Sequence, residues 1–405
     1  MKKFSAIFLI LSIMLALSSC ISDMPNTDES EPDSVLETNS ETEAETKTDA
    51  ETETDKETDT EKKEDEEVEE NFEEVTYKLN EHTDALKLYG RMSATDTALT
   101  CDFAASGIEF NVTAVGAVKI KIKYVQQTVE SGKNDDVYLA VIVDGMTDLK
   151  QYKVPKGQTV ELTVAKFSTL GEHNIKILRK TEIKNGLLDL ESVTFAGKFE
   201  TAPENKELYV EFLGDSITSG YGNLTTNGTS SPQDSDYKDA LQAYAYLTAQ
   251  ALGADHSLVS NSGIGLTKGY RVMTMPAFYE AESYYRSTTK AYTPARVPDI
   301  VVINLGTNDQ SKSADTTAFK NDVKALIENI RALYGKDCPI VWAYGMMKDG
   351  YISYVKEATA GMDKVYTVEL PKNTQGGNGH PNLAGHKTAS EQLTAFIKEN
   401  VLTVN

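Results

Sequence analysis

The stretch EFLGDSITSGYG, residues 211–222, joins an apolar strand-like segment to a glycine, an aspartate and a serine. Gly214 permits a sharp backbone turn, so Ser216 is expected on an exposed loop directly after the strand. A serine hydroxyl is a poor nucleophile and needs a nearby base and donors for the oxyanion that forms. The stretch is not the GxSxG nucleophile elbow, because Thr218 occupies the second glycine position. Alone, it leaves open whether Ser216 is a nucleophile or a polar turn residue.

The region around this stretch, residues 206–402, alternates short apolar strands with helix-like segments. The strand-like runs are LYVEFLG, HSLVSNSG, DIVVINLG, PIVWAYGM and KVYTVEL. This alternation predicts an α/β domain with three layers, in which helices cover both faces of a parallel sheet. Polar motifs (GDSIT, NSGIG, GTND and GNGHPN) each follow a predicted strand. Because reactive groups gather beyond the carboxyl ends of parallel strands, we expect these four motifs to converge in space.

Residues 76–200 have a hydrophobic period of two instead. VKIKIKYV places Val118, Ile120 and Ile122 on one face and lysines on the other, and DVYLAVIVDG alternates in the same way before an Asp-Gly turn. Several short strands of this kind predict an all-β sandwich of jelly-roll size. The segment TAPENK, residues 201–206, is the predicted linker between the sandwich and the α/β domain.

Most of the chain's net charge of −22 lies in residues 21–75, which contain 24 Asp and Glu residues and 4 Lys residues. This segment is too poor in apolar side chains to fold, so we expect a disordered, extended tether. An acidic tail for a basic partner is the alternative. The remaining chain is only mildly acidic, which argues against nucleic-acid binding.

Residues 1–20 have a basic start, a short apolar run and the small-residue sequence SSC. The apolar run is too short to span a bilayer, so the segment is interpreted as a signal peptide. SSC resembles a bacterial lipobox, which implies lipid attachment at Cys20 and an extracellular protein held at the cell membrane by that anchor. An ordinary signal peptide is the alternative. Cys101 and Cys338 fall in different predicted domains and are interpreted as small buried hydrophobic residues.

Taken together, the four polar motifs resemble the four blocks of the SGNH (GDSL-like) hydrolases, over residues 206–402. The resemblance implies that Ser216 attacks an ester carbonyl and that His380 is its base. It also implies an oxyanion hole made by the backbone amides of Ser216 and Gly263 and by the side chain of Asn308. Gly265 is a rival for the role of Gly263.

Some candidate residues have simpler structural interpretations. Asn308 is also suited to ordering its own turn. Four further histidines have no motif around them and are interpreted as structural: His82, His173, His256 and His386. No spacing of His, Cys, Asp or Glu suggests a metal site, and no cofactor is implied.

The last block departs from the family pattern, because many SGNH hydrolases place an aspartate two or three residues before the histidine. Here those positions are Asn378 and Gly377. We therefore expect a Ser216–His380 dyad, in which a backbone carbonyl or Asn378 holds the second ring nitrogen. Glu369 is a distant candidate for a displaced acid. Two other acidic residues, Asp215 and Asp309, are expected to order their turns.

A jelly-roll-like domain ahead of an SGNH domain is similar to carbohydrate esterase family two, over residues 76–402. The resemblance implies a serine esterase that removes acetyl groups from polysaccharides such as xylan and mannan, some members of which lack the triad acid. A lipase or thioesterase of the same superfamily and a non-catalytic carbohydrate-binding protein are the alternatives. Tyr221, Tyr279 and Trp342 are candidates for stacking on sugar rings, although Trp342 lies in an apolar strand and is better suited to the core.

Overall fold

The structure is a computed structural model that describes residues 72–130, 133–229, 231 and 234–403. The predicted signal peptide, Cys20 and nearly all of the predicted tether lie outside these residues. The first described strand begins at Glu74, two residues before the predicted start of the sandwich. In the described part of the chain, no helix combines the length and the apolar character that crossing a membrane requires.

The N-terminal half of the described chain forms an antiparallel sheet in the order β1-β9-β4-β8-β5-β6, with three short strands paired to its members. The strands are β1 (Glu74–Lys78), β2 (Lys87–Tyr89), β3 (Leu99–Thr100), β4 (Gly107–Val125), β5 (Val137–Val143), β6 (Met146–Thr147), β7 (Tyr152–Val154), β8 (Thr159–Arg179) and β9 (Leu187–Phe199). The side chains of Val118, Ile120 and Ile122 are fully buried in its core, as the alternation predicts. The all-β prediction is therefore confirmed.

The long strand β4 pairs with both β8 and β9, and both pairings shift register near Gly116. Gly116 has a positive φ of 76°, so the strand bulges at a residue that tolerates this backbone conformation. Such bulges bend long strands and increase their twist. The sequence reveals the faces of this strand but not the bulge.

The C-terminal half contains a five-stranded parallel sheet in the order β11-β10-β12-β13-β14. Its strands are β10 (Tyr209–Gly214), β11 (Asp255–Ser260), β12 (Ile300–Asn304), β13 (Ile340–Gly345) and β14 (Val365–Leu370). The helices are α1 (Tyr244–Ala251), α2 (Met275–Glu280), α3 (Thr307–Ser311), α4 (Thr316–Tyr334), α5 (Ile352–Thr359) and α6 (Leu383–Asn400). The first strand in sequence, β10, is therefore next to the edge strand β11 and beside the central β12.

Helices cover both faces of this sheet, because its strand side chains alternate between two apolar cores. Phe212 belongs to the core that contains residues of α1 and α6. Leu213 belongs to the other core, which contains residues of α2, α4 and α5. Two aspects of the sequence set the ends of α4: Asp315 accepts the N–H groups of the first turn, and Gly335 ends the helix with a positive φ of 95°. The predicted three-layer α/β fold is confirmed.

A buried ion pair connects the antiparallel half to the parallel sheet. Arg91 lies 3.3 Å from the carboxylate of Glu211 on β10, and neither side chain is more than 1% exposed. The hydroxyls of Tyr279 and Tyr334 also donate to Glu211. The two halves therefore share a buried polar network. Cys101 and Cys338 are both free and buried, as predicted.

Candidate active site

Ser216 follows the carboxyl end of β10 with its side chain largely buried, at 6% exposure. The preceding glycine is sterically required, because a Cβ atom on Gly214 would lie 1.9 Å from the hydroxyl oxygen of Thr218. The turn after the strand is closed by a hydrogen bond from the N–H of Tyr221 to the carbonyl of Ser216. The opening stretch thus folds as the strand and sharp turn expected from its sequence, but the prediction of an exposed Ser216 is wrong, because the side chain is buried.

Ser216 and His380 are in direct contact, although 164 residues separate them: the Nε2 atom of His380 lies 2.8 Å from the Ser216 hydroxyl oxygen. The other ring nitrogen, Nδ1, lies 3.2 Å from the carbonyl oxygen of Gly377. Both contacts are satisfied by the neutral tautomer, in which Nδ1–H donates to the carbonyl and Nε2 accepts the serine proton. This is the contact that a general base makes with a serine nucleophile.

Burial keeps His380 neutral. Its side chain is buried, and this desolvation lowers the pKa of His380 to about 4. Hydrogen bonds to backbone carbonyls oppose the shift, and the positive charge of Lys184 reinforces it. The ring of Tyr221 packs against it with 4.5 Å between the ring centroids. His380 is therefore held in the unprotonated form that a base requires at neutral pH.

Of the two orienting groups expected for His380, the structure places backbone carbonyls at the ring: that of Gly377 lies 3.2 Å from Nδ1, and the backbone of Asn378 also bonds to the histidine. Asn378 is exposed and has a left-handed backbone conformation, with φ 55° and ψ 37°, which asparagine tolerates. Glu369 is not a displaced acid, because its carboxylate is 57% exposed and pairs with Lys356. It lies on the surface rather than beside the histidine.

The backbone N–H groups of Ser216 and Gly263 have no hydrogen-bond acceptor among the described residues. Gly263 has a positive φ of 83°, and a Cβ atom there would lie 3.1 Å from the Nε atom of Arg271. The rival Gly265 has a different constraint, since its Cβ would lie 2.3 Å from the Lys268 carbonyl oxygen. The two unpaired donors suit an oxyanion hole, and the choice of Gly263 over Gly265 stays a prediction.

Asn308 lies in the first turn of α3, close to the serine turn. Its amide nitrogen donates to a carboxylate oxygen of Asp215 at 2.9 Å and to the carbonyl of Ile264 at 2.8 Å. Both amide protons therefore have partners within the protein. To donate to an oxyanion, as the resemblance implies, Asn308 would exchange one of these bonds for the new one.

Asp215 and Asp309 order loops rather than contact His380. Asp215 accepts the N–H of Ile217, and its complete burial raises its pKa to about 7. Asp309 accepts the N–H groups of three successive residues of the loop after Gly263: Leu266, Thr267 and Lys268. Asp215 therefore orders its own turn as expected, whereas Asp309 orders the neighbouring loop.

The three aromatic candidates are all buried, and two of them, Trp342 and Tyr279, make buried contacts that leave no face for a sugar ring. Trp342 is fully buried and its indole N–H donates to the carbonyl of Leu305. Tyr279 donates to Glu211 in the buried network. Tyr221 lies at the site, against His380, but is only 5% exposed. Among the described residues, no group of three or more His, Cys, Asp or Glu side chains is arranged to hold a metal ion.

Charged residues from the antiparallel half also reach the site, and sequence reasoning missed them. Glu182 and Lys184 lie in the turn between β8 and β9, which the sequence indicates only as a turn. Glu182 accepts the N–H of Ser262, next to Gly263. Arg271 donates to the carbonyl of Ser262 and pairs with Glu130. Nothing in the local pattern reveals contacts across 80 or more residues.

Two family models match the chain. The GDSL-like Lipase/Acylhydrolase family matches residues 212–388, and Carbohydrate esterase 2 N-terminal matches residues 88–203. The chain is also 30% identical to a solved family two carbohydrate esterase from Clostridium thermocellum in complex with cellohexaose, with a TM-score of 0.69 over 78% of this chain and 99% of that chain. The chain belongs to carbohydrate esterase family two.

The chain is also similar in sequence to two further bacterial proteins. The Cellulase/esterase CelE of Acetivibrio thermocellus is 33% identical over 326 residues, and the match covers 74% of this chain but 38% of that longer protein. An Acetylxylan esterase / glucomannan deacetylase of Cellvibrio japonicus is 24% identical over 334 residues, covering 78% of this chain and 88% of that protein. The family and the fold predicted from the sequence are thus confirmed.

Proposed function

We propose that this chain is a serine esterase that removes O-acetyl groups from plant cell-wall polysaccharides such as xylan or mannan. The observation that carries the proposal is the 2.8 Å contact between Ser216 and the neutral ring of His380. The N–H groups of Ser216 and Gly263, which have no acceptor among the described residues, add to it. Membership of carbohydrate esterase family two supports the substrate class, as do the acetylxylan esterase and glucomannan deacetylase activities in the name of the Cellvibrio japonicus relative.

The proposed reaction has two stages. The Ser216 hydroxyl oxygen attacks the acetyl carbonyl while Nε2 of His380 takes its proton, and the oxyanion accepts hydrogen bonds from the N–H groups of Ser216 and Gly263. The bond to the sugar oxygen breaks as that oxygen takes the proton from His380. Water then attacks the acyl-enzyme by the same route, and acetate leaves as Ser216 regains its proton.

Acetate release from acetylated xylan and acetylated mannan tests this proposal, with Ser216→Ala as the matched control. We expect release by the wild-type protein and a loss of at least about a thousandfold in the variant, because nucleophile and base act as a unit. A wild-type protein that binds the glycans but releases no acetate in a Ser216-dependent manner would establish the non-catalytic alternative. Two observations are the basis of that alternative: the acid is missing before His380, and a relative was solved in complex with cellohexaose.

A comparison of aryl esters separates the acetylesterase from a lipase or thioesterase of the same superfamily. We expect kcat/KM for 4-nitrophenyl acetate to exceed that for the octanoate ester. A clear preference for the octanoate ester would contradict the acetylesterase proposal, because binding the octanoyl chain requires an apolar channel.

We also propose that the protein is secreted and held at the bacterial membrane by a lipid on Cys20, which suits a polymeric substrate outside the cell. The support is the lipobox-like SSC sequence alone. In cells expressing Cys20→Ser, we expect the protein to lose incorporation of labelled fatty acid and to appear in the medium. Fatty-acid labelling that persists in this variant would rule out the anchor.

A further inference from the structure

A buried charge cluster lies behind the predicted active site, and it comes mainly from the antiparallel half of the chain. Glu182 and Lys184 lie in the turn between β8 and β9, and Lys238 lies shortly before α1. The Glu182 carboxylate is 3.2 Å from the Lys184 ammonium and 3.0 Å from that of Lys238, and none of the three side chains is more than 4% exposed. The Glu182 cluster, as we call these three residues, thus buries two lysine side chains against one carboxylate.

The fold of the turn does not require these charges. Arg179 is fully buried and donates to the carbonyls of Thr181, Glu182 and Gly186, so its guanidinium holds the turn through backbone groups. Buried ion pairs can often be replaced by apolar side chains of similar volume without loss of stability. A buried carboxylate between two buried lysines therefore points to a role other than holding the turn together.

The cluster contacts both halves of the predicted catalytic machinery. A carboxylate oxygen of Glu182 accepts the N–H of Ser262 at 3.0 Å, and Ser262 immediately precedes Gly263. The ammonium groups of Lys184 and Lys238 lie 5.1 and 5.3 Å from the ring centroid of Tyr221. That ring packs in turn against His380. One end of the cluster thus holds the oxyanion loop, and the other faces the base.

We propose that the Glu182 cluster is a positioning device for the predicted catalytic residues: Glu182 fixes the loop of Gly263, and the two ammonium groups hold Tyr221 against the histidine ring. The positive charge of the two lysines also opposes protonation of the His380 imidazole. This inference rests on the proposed esterase function for its catalytic consequence, but its electrostatic part concerns the histidine alone.

The charges around His380 give the proposal a definite sign. Among the described residues, the titratable groups that face His380 are Tyr221, Lys184, Glu182 and His386, and Lys238 faces the Tyr221 ring that packs against it. Lys184, which also faces Lys238 and Arg271, has its pKa lowered to about 7 by burial, so it is protonated throughout the lower range in which His380 titrates. Its charge lowers the pKa of His380, whereas that of Glu182 raises it. Removing the Lys184 charge should therefore raise the pKa of His380.

Lys184→Met tests the inference, with Lys87→Met as the matched control. Lys87 is similarly buried and pairs with Asp255 at 2.7 Å, but Asp255 begins β11, at the end of the sheet opposite to the predicted site. The pKa of His380 is measured by NMR titration of isotope-labelled histidine, with His380→Asn to assign the signal. The acid limb of kcat/KM for 4-nitrophenyl acetate is measured in parallel.

In Lys184→Met we expect the pKa of His380 and the acid limb of kcat/KM to rise together by about 0.5–1 pH unit, because the lost charge lies 5.1 Å from the Tyr221 ring that packs against His380. We expect kcat to fall about tenfold with little change in KM. Lys184→Arg should restore the wild-type values, and Lys87→Met should leave them unchanged. Lys238→Met should shift the pKa in the same direction, which provides a second test if Lys184→Met does not fold.

The inference is overturned, whatever the activity, if the pKa of His380 in folded Lys184→Met and in folded Lys238→Met stays within about 0.2 unit of the wild-type value. An equal shift in Lys87→Met overturns it as well, because the effect would then be general. A wild-type protein without Ser216-dependent hydrolysis refutes the proposed esterase function instead, and the NMR titration still decides the electrostatic part.

Discussion

Gly263 provides the sharpest test of the predicted oxyanion hole, because the chain contains a glycine with almost the same backbone strain elsewhere. Gly263 has φ 83°, and Gly253, after the end of α1, has φ 66°. An alanine at either position must adopt a left-handed conformation, which costs about 1–2 kcal/mol. The two substitutions should therefore lower the free energy of unfolding by similar amounts.

The two sites differ in what a new methyl group meets. At Gly253 no atom lies within 4 Å of the added Cβ. At Gly263 the Cβ would lie 3.1 Å from Nε of Arg271 and 3.2 Å from Cβ of Tyr270, so both neighbours must move by a few tenths of an ångström. The methyl group would also stand beside the N–H proposed to bind the oxyanion. Losing such a donor outright costs about 10²–10³ in rate, so a displaced one should cost at least about tenfold.

The assay compares Gly263→Ala and Gly253→Ala by urea unfolding and by hydrolysis of 4-nitrophenyl acetate. We expect both variants to unfold at lower urea concentration, but only Gly263→Ala to lose kcat/KM. Full activity in a correctly folded Gly263→Ala protein would refute the assignment of this amide to the oxyanion hole. Equal losses of activity in the two variants would attribute the effect to stability rather than to the site.

Three further predictions follow from the described contacts. Asn378→Asp should change kcat by less than about twofold, because the carbonyl of Gly377 holds the histidine and aspartate tolerates the left-handed backbone; a collapse of activity in folded protein would assign Asn378 an unrecognised role. Arg91→Met should lower the free energy of unfolding by about 3–5 kcal/mol by leaving the buried Glu211 carboxylate without its counter-ion, and adding Glu211→Gln should recover part of that loss in chemical denaturation. Burial lowers the pKa of His386 to about 3, so between pH 6.5 and 4.5 only the unfolded chain takes up this proton, and the free energy of unfolding decreases as the pH is lowered. The stability advantage of wild type over His386→Asn should therefore shrink by about 2–3 kcal/mol from pH 7.5 to pH 4.5. An unchanged difference would contradict the assigned burial effect.

Much of the fold could be predicted because periodicity is a local property of the chain. The alternation in VKIKIKYV correctly assigns buried and exposed faces along β4, with Val118, Ile120 and Ile122 fully buried. The Asp-Gly turn after β5 is equally local, since Asp144 and Gly145 both have positive φ values. The register shifts of β4 could not be predicted, because they depend on two partner strands at once.

Some features of the active site could likewise be predicted from the sequence, and others could not. Four motifs at the carboxyl ends of strands indicate which residues meet, and the structure places Ser216 against His380. The group that holds the second ring nitrogen could be narrowed only to a carbonyl or Asn378, because a main-chain acceptor leaves no trace in residue type. The contact between Glu182 and Ser262 was missed for a related reason: it depends on how the antiparallel and parallel halves meet, and each partner lies in an ordinary turn.

The turn between β8 and β9 also restricts how this chain can be recombined. A chimera that replaced residues 76–200 with a sandwich from another protein would retain Ser216 and His380 but lose Glu182, which accepts the N–H of Ser262. It would also remove Arg91 from the buried carboxylate of Glu211. The linker at residues 201–206 is therefore a poor crossover point, and the two halves are best inherited, shuffled or truncated as one piece.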